Sequence, residues 1–148
     1  MKILLASDHA GYLIKSSIYQ NLRLLEGVEV KDLGAHSYAQ SDYPEFANKL
    51  CEEMKKPENT FGVLVCGSGM GMCMAANRHK YIRCGLCRTT DDAITCREHN
   101  NANVIAIGSR FTAEDLALNI AFKFINTEFL GDKDKKYERH RQRINQIS

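Results

Sequence analysis

The residues best able to do chemistry stand together at Cys66-Gly67-Ser68-Gly69-Met70-Gly71. Glycines let backbone N–H groups approach a bound anion, and a helix opening behind them turns its unpaired donors and positive dipole end to the same spot. The same donors favour a thiolate, so Cys66 is placed to act as a base or nucleophile. A small buried cysteine that merely closes a strand fits the position equally well. The turn is not a nucleotide fingerprint, because Gly67, Gly69 and Gly71 alternate where G-x-G-x-x-G needs a later third glycine, and no Gly-Lys-Ser or Gly-Lys-Thr follows. A large cofactor is not expected. The remaining inventory is a thiol, a carboxylate, two histidines, an anion hole and arginines near the C-terminus to hold phosphate. It suits proton transfer next to a carbonyl.

The elements that must hold these groups follow from periodicity. Residues 61–65 read as a strand that runs into the glycine turn, and the small apolar residues after it read as a helix. Residues 2–6 form a first apolar strand, which empties into Ser7-Asp8-His9-Ala10-Gly11. A helix carrying Leu13, Ile14, Ile18, Leu22 and Leu25 follows, stopped by Gly27. Residues 28–33 alternate like a strand, 34–41 form a polar loop, and Asp42-Tyr43-Pro44 opens a helix with proline at a favourable first position. That helix carries Phe46, Ala47, Leu50 and Met54 and ends at Lys56-Pro57-Glu58-Asn59. Residues 82–86 and 103–107 supply two more strands. Thr89-Thr90-Asp91-Asp92 caps a helix to about His99, Thr112 with Glu114 and Asp115 starts one through roughly Asn126, and a last helix finishes the chain.

Five alternations of strand and helix predict a three-layer α/β fold, a doubly wound, Rossmann-like, five-stranded parallel sheet with helices on both faces and a C-terminal helix. Ligands bind such sheets off the carboxyl ends of the strands where strand order reverses, which for the common five-strand order lies between strands one and three. Those strands end in Asp8-His9 and Cys66-Gly67-Ser68, so the two most polar strand exits face one crevice.

Length and composition set the limits. The 148 residues suffice for a single domain, 1–148, with its own core. A net charge of +2 gives no argument for nucleic acid, and no apolar run reaches the ~20 residues of a membrane span. The N-terminus lacks a signal-peptide core, so a cytoplasmic protein is expected. Residues 133–143 carry six Lys or Arg against two acids, a solvated helix face or a clamp for a small anion. Six cysteines include Cys84-Gly-Leu-Cys87 and Cys96-Arg-Glu-His99, which mimic a metal pattern. Residues three apart on a strand face opposite ways, so Cys84 and Cys87 cannot share an ion, and free thiols with no metal are expected.

Several motifs in order carry a resemblance over nearly the whole chain. They are Ser7-Asp8-His9-Ala10-Gly11, Asp42-Tyr43-Pro44, Cys66-Gly67-Ser68-Gly69, Ala75-Ala76-Asn77, His99-Asn100-Asn101-Ala102-Asn103-Val104 and Gly108-Ser109-Arg110. The chain resembles the B-type ribose-5-phosphate isomerase family, which also contains the galactose-6-phosphate isomerase subunits. The resemblance implies interconversion of ribose 5-phosphate and ribulose 5-phosphate, a step of the pentose phosphate pathway, through an enediolate without metal or cofactor. It implies Cys66 as the base, the N–H groups of residues 67–71 with the Ser68 hydroxyl as the oxyanion site, and His99 as the group that opens the furanose ring. Asp8 would bond the sugar hydroxyls. His9, Tyr43, Gly67, Gly69, Met70, Gly71, Asn100, Arg110, Arg139 and Arg143 would complete the substrate and phosphate contacts. The approach to Arg139 is lengthened by Gly131-Asp132-Lys133-Asp134-Lys135-Lys136-Tyr137-Glu138, so Arg141 or Lys136 could substitute in the clamp. His36 and His79 match nothing and read as surface residues.

His99 ends the helix after strand four, which should run back away from the Cys66 crevice. A homodimer or tetramer with sites completed across the subunit interface is therefore expected. The alternatives are an isomerase of a six-carbon sugar phosphate such as allose or galactose 6-phosphate, a non-catalytic sugar-phosphate-binding module, and a thiol redox sensor.

Overall fold

The computed structural model describes residues 1–55 and 59–147. Strands β1 (Lys2–Ser7), β2 (Glu29–Asp32), β3 (Thr60–Cys66), β4 (Cys84–Leu86) and β5 (Val104–Gly108) form one all-parallel sheet. β1, β3 and β5 are nearly continuous apolar runs because both their faces are covered. Helices α1 (Tyr12–Leu22), α4 (Thr90–Asn100) and α5 (Glu114–Asn126) pack on one face around Ile3, Leu5, Val63 and Ile105. Helices α2 (Tyr43–Glu53) and α3 (Met70–Ala76) cover the other, around Leu4, Leu64, Val104 and Ala106. The expected three-layer architecture is what forms. Cys84 packs with the α2/α3 core and Cys87 with the α1/α4/α5 core, on opposite faces as their spacing requires.

The strand order corrects one expectation. The common order would set β4 beside β3, but the sheet runs β2-β1-β3-β5-β4, with β5 inserted and β4 at the edge. Right-handed crossovers then fix the faces. The step from β3 out to β4 puts α3 on one face, and the step back inward to β5 puts α4 on the other. The β1/β3 switch point is unaffected, and β3 gains a second one on its β5 side. β4 is also shorter than its predicted span 82–86, because an edge strand of half-buried residues pairs only where β5 reaches it.

Local boundaries follow capping chemistry. Thr89 and Asp92 form a reciprocal capping box at α4, with Asp92 accepting the Arg88 and Thr89 N–H groups. These bonds hold the Asp92 carboxyl below its usual range. α1 stops at Leu22, so Leu25 packs from the turn that follows. Ala113, not Thr112, stands at the N-cap of α5, and the Thr112 hydroxyl is buried without a partner. α2 ends at Glu53; the predicted stop at Lys56-Pro57-Glu58 lies outside the described residues. After two 3-10 turns, Leu130–Asp132 and Lys135–Tyr137, helix α6 (Glu138–Ile147) packs against α4.

Candidate active site

The carboxyl ends of β1 and β3 meet as the alternation predicts. Ser7 lies opposite Val65, so Asp8 and Cys66 leave neighbouring strands at the same level. Cys66 is 4% exposed, and the Gly69 N–H donates to its Sγ at 3.2 Å. Gly69 adopts φ +77, and a Cβ there would lie 2.7 Å from Leu86 and 3.0 Å from the Gly108 nitrogen. Only glycine lets the turn fold back tightly enough to aim that N–H at the sulfur. The Met70 N–H is spent on Ser68 Oγ at 3.2 Å, which leaves the Ser68 hydroxyl proton free to donate. Among the described residues, the N–H groups of Gly67, Ser68 and Gly71 have no acceptor. The expected oxyanion donors therefore narrow to these three with the Ser68 hydroxyl.

Three further side chains stand at the same end of the sheet. Asp8 is 7% exposed, and its Oδ1 accepts the Gly11 N–H at 3.1 Å. Tyr43, first residue of α2, lays its ring where any side chain at Gly71 would have to go, 2.6 Å from a built Cβ. Arg110 lies over Gly67 in the same manner, and its backbone N–H donates to the Gly67 carbonyl at 3.0 Å. His9 is held by Ser41, a residue that sequence reasoning missed. The His9 N–H donates to Ser41 Oγ at 3.1 Å, and the Ser41 N–H reaches His9 Nδ1 at 3.2 Å. An amide N–H can only donate, so in this contact Nδ1 is the acceptor. The Ser41 carbonyl, also 3.2 Å from Nδ1, serves the other tautomer.

The remaining predicted residues form a second cluster at the other end of the sheet. Cys66 is in register with Gly108 and Gly62 with Val104, four residues or ~13 Å along the strands. The chain from His99 to Asn103 sits at the Gly62 end, since the Gly62 N–H donates to the Asn103 carbonyl. There the His99 ring stacks on His140. His140 is 5% exposed with its Nε2 unpartnered, and burial, with His99, Arg139 and Arg143 nearby, lowers its pKa below the usual imidazole value. Arg139 donates to the Lys136 carbonyl at 3.0 Å, and Arg143 makes no hydrogen bond or ion pair among the described residues. Arg141 pairs with Asp132 over the Phe129 ring, and Lys136 pairs with Asp134. Both alternatives to the Arg139/Arg143 clamp thus already have carboxylate partners. A cavity of about 650 Å³ opens beside this cluster, lined in part by Arg78, Arg83, Cys96, Asn100 and Ile147. No hydrogen bond, ion pair or ring contact among the described residues joins His99, Asn100, Arg139 or Arg143 to the Cys66 cluster.

His36 is exposed near Asp32, and His79 bonds Asn48 at 2.9 Å. The six cysteines are free thiols, Cys87 and Cys96 having sulfurs 4.0 Å apart. No group of His, Cys, Asp or Glu among the described residues has the arrangement of a metal site, and no described helix is long and apolar enough to cross a membrane.

Residues 3–147 match the family model described as ribose/galactose isomerase. The chain belongs to this family. It is 35% identical to the ribose-5-phosphate isomerase B of Escherichia coli, over 99% of this chain and 94% of that one. The ribose-5-phosphate isomerase B of Clostridium thermocellum superposes with a TM-score of 0.90 at 39% identity, over 99% of this chain and 95% of that one. The ribose-5-phosphate isomerase B of Mycoplasma genitalium, solved with bound ribulose-5-phosphate, gives a TM-score of 0.89 at 36% identity, over 99% and 93%. These likenesses run the length of the fold, so both the Cys66 end and the His99 end of the sheet lie within family structure.

Proposed function

We propose that this ribose/galactose isomerase family member interconverts D-ribose 5-phosphate and D-ribulose 5-phosphate, with Cys66 as the base. The observation that carries the reading is the Gly69 N–H on a buried Cys66 sulfur, beside donors with no other acceptor. In the aldose-to-ketose direction the Cys66 thiolate takes the C2 proton of the open-chain sugar, and the electron pair moves into a C1–C2 double bond. The carbonyl oxygen becomes an enediolate oxygen, which the Gly67, Ser68 and Gly71 N–H groups and the Ser68 hydroxyl stabilise. The thiol then returns the proton to C1 while the O2 proton passes to O1, which leaves a carbonyl at C2 and a hydroxyl on C1. Asp8 accepts hydrogen bonds from sugar hydroxyls, and Arg110 and His9 face the phosphate. The names of the relatives, one of them holding ribulose-5-phosphate, support this substrate class.

The second cluster completes the site in our reading, supplied by another copy of the chain. His99 opens the furanose by proton transfer at the hemiacetal, Asn100 holds the sugar, and Arg139 with Arg143 neutralises the phosphate. The ~13 Å between the two ends of the sheet argues for this. So do Met70 and Met74, one turn apart on α3 and exposed, which offer an apolar strip next to the catalytic turn.

Incubating the purified protein with ribose 5-phosphate and a metal chelator, beside a Cys66→Ser variant, tests the assignment. Ribulose 5-phosphate should form, with turnover at least ~10²-fold lower in the variant. A folded wild type without turnover contradicts it, and six-carbon sugar phosphates become the substrates to try.

A further inference from the structure

Among the described residues the only lysine with no exposure is Lys15, and nothing in the reaction above uses it. It sits on α1 in line with Ile18 and Leu22, at a position where an apolar side chain would complete the buried stripe. Its ammonium meets Asp32 Oδ2 at 2.5 Å, at the end of β2, and lies 5.5 Å from the Tyr12 ring centroid. Burying an ammonium costs solvation that its partner only partly returns, and an apolar pair of equal volume is often no less stable. A charge kept in such a place has a use other than stability.

The use lies in what Asp32 holds. Its second oxygen accepts the Gly34 N–H at 2.9 Å, which fixes the root of the loop from Leu33 to Asp42. The next two peptides then lock onto the end of β1: the Ser7 N–H donates to Gly34 and the Ala35 N–H to Ser7, both at 2.6 Å. Tyr38 comes back to pack edge-on against Tyr12, the ring under the Lys15 ammonium, with centroids 4.7 Å apart. The loop ends at Ser41, which grips His9 at both its backbone and its ring, and at Tyr43, whose ring covers Gly71. One buried charge thus anchors the start of a segment whose far end orients two residues of the Cys66 crevice.

We propose that Lys15 is a positioning residue for substrate binding, acting through Asp32 and the loop to Ser41 to fix the orientation of His9. The proposal rests on the isomerase reading for its kinetic arm and is independent of it for its spectroscopic arm. Lys15→Met keeps the length of the side chain and removes the charge. With histidine-¹⁵N-labelled protein, the ring ¹H–¹⁵N resonances of His9 should form one sharp set in the wild type and be broadened or doubled in Lys15→Met. The KM for ribose 5-phosphate should rise about tenfold while kcat stays within about threefold, the pattern of lost binding rather than lost chemistry. The rate of Cys66 alkylation should not change, because the Gly69 turn hangs from β3. If Lys15→Met does not fold, Asp32→Asn is read in the same way, since it keeps an oxygen for the Gly34 N–H and removes the ion pair.

Unchanged His9 ring resonances in a folded variant overturn the proposal. So does a fall in kcat with KM unaltered. Absence of isomerase activity in the wild type would sink the isomerase reading alone, and the His9 spectra would still decide the role of Lys15.

Discussion

The imidazole of His99 lies flat on that of His140, with ring centroids 4.4 Å apart and planes 7° from parallel. The stack joins the end of α4 to α6 and sets the predicted ring-opening histidine beside the arginines proposed to hold phosphate. A neutral His140 suits this arrangement, because a second positive charge would repel both Arg139 and Arg143.

The lowered pKa of His140 makes the stack sensitive to pH. Burial and the neighbouring His99, Arg139 and Arg143 disfavour the imidazolium in the folded chain, so the unfolded chain binds its proton first as pH falls. The contribution to stability is complete above the ordinary histidine value of ~6.5 and is lost as pH drops from there through the lowered folded value. In His140→Phe, which keeps a ring on His99 but cannot titrate, the thermal midpoint should fall less between pH 7 and pH 5 than in the wild type. Equal slopes would show that His140 does not contribute.

Arg97 ties α4 to the chain beneath it. Its guanidinium donates to the carbonyls of Thr127 and Ala102 and to Asn101 Oδ1, at 3.0, 2.6 and 2.8 Å, and lies over the Phe61 and Phe124 rings. Arg97→Met fills much of the volume but leaves buried carbonyls unpaired, so urea unfolding should show a loss of ~3 kcal/mol. A change below ~1 kcal/mol would mean that water replaces the guanidinium.

Thiol reactivity should separate cysteines that composition treats alike. Contact with the Cys84 thiol brings the Cys73 thiol down to about 7 against the opposing effect of burial, and the Asn77 amide adds to the shift. Burial, with Glu52 nearby, pushes Cys51 up to about 12. Brief iodoacetamide treatment at pH 7.5, read by peptide mass, should label Cys73 and leave Cys51 untouched until the protein is unfolded. Labelling of Cys51 in the folded protein would contradict the packing of α2 on the sheet.

Much of this was legible in the sequence, and the failures have physical causes. The β1 and β3 exits were readable because each apolar run ends abruptly in polar or glycine residues, and the α4 cap because Thr89 and Asp92 have capping-box spacing. The exchange of β4 and β5 was not read, since each strand's own pattern is satisfied in either place. A signal existed: Val104–Gly108 is apolar throughout, as a central strand must be, whereas Cys84–Leu86 is short and half-buried, as suits an edge. Ser41 and Asp32 gave no local sign, because their partners lie 32 and 17 residues away. Lys15 did give one, a charge in register with Ile18 and Leu22 on the buried stripe. Thr112 misled because a hydroxyl near Glu114 and Asp115 reads as a cap, while the backbone turns one residue later.

The central claim is that catalysis needs the Cys66 end of one chain and the His99 end of another. Cys66→Ser and His99→Ala chains carrying different affinity tags, each inactive alone, should be mixed by unfolding and refolding, and the doubly tagged species isolated. The account predicts recovered ribose 5-phosphate isomerisation in that species, up to about half the wild-type rate, because one of two sites regains both groups. Verified mixed oligomers with no more activity than either parent would contradict it.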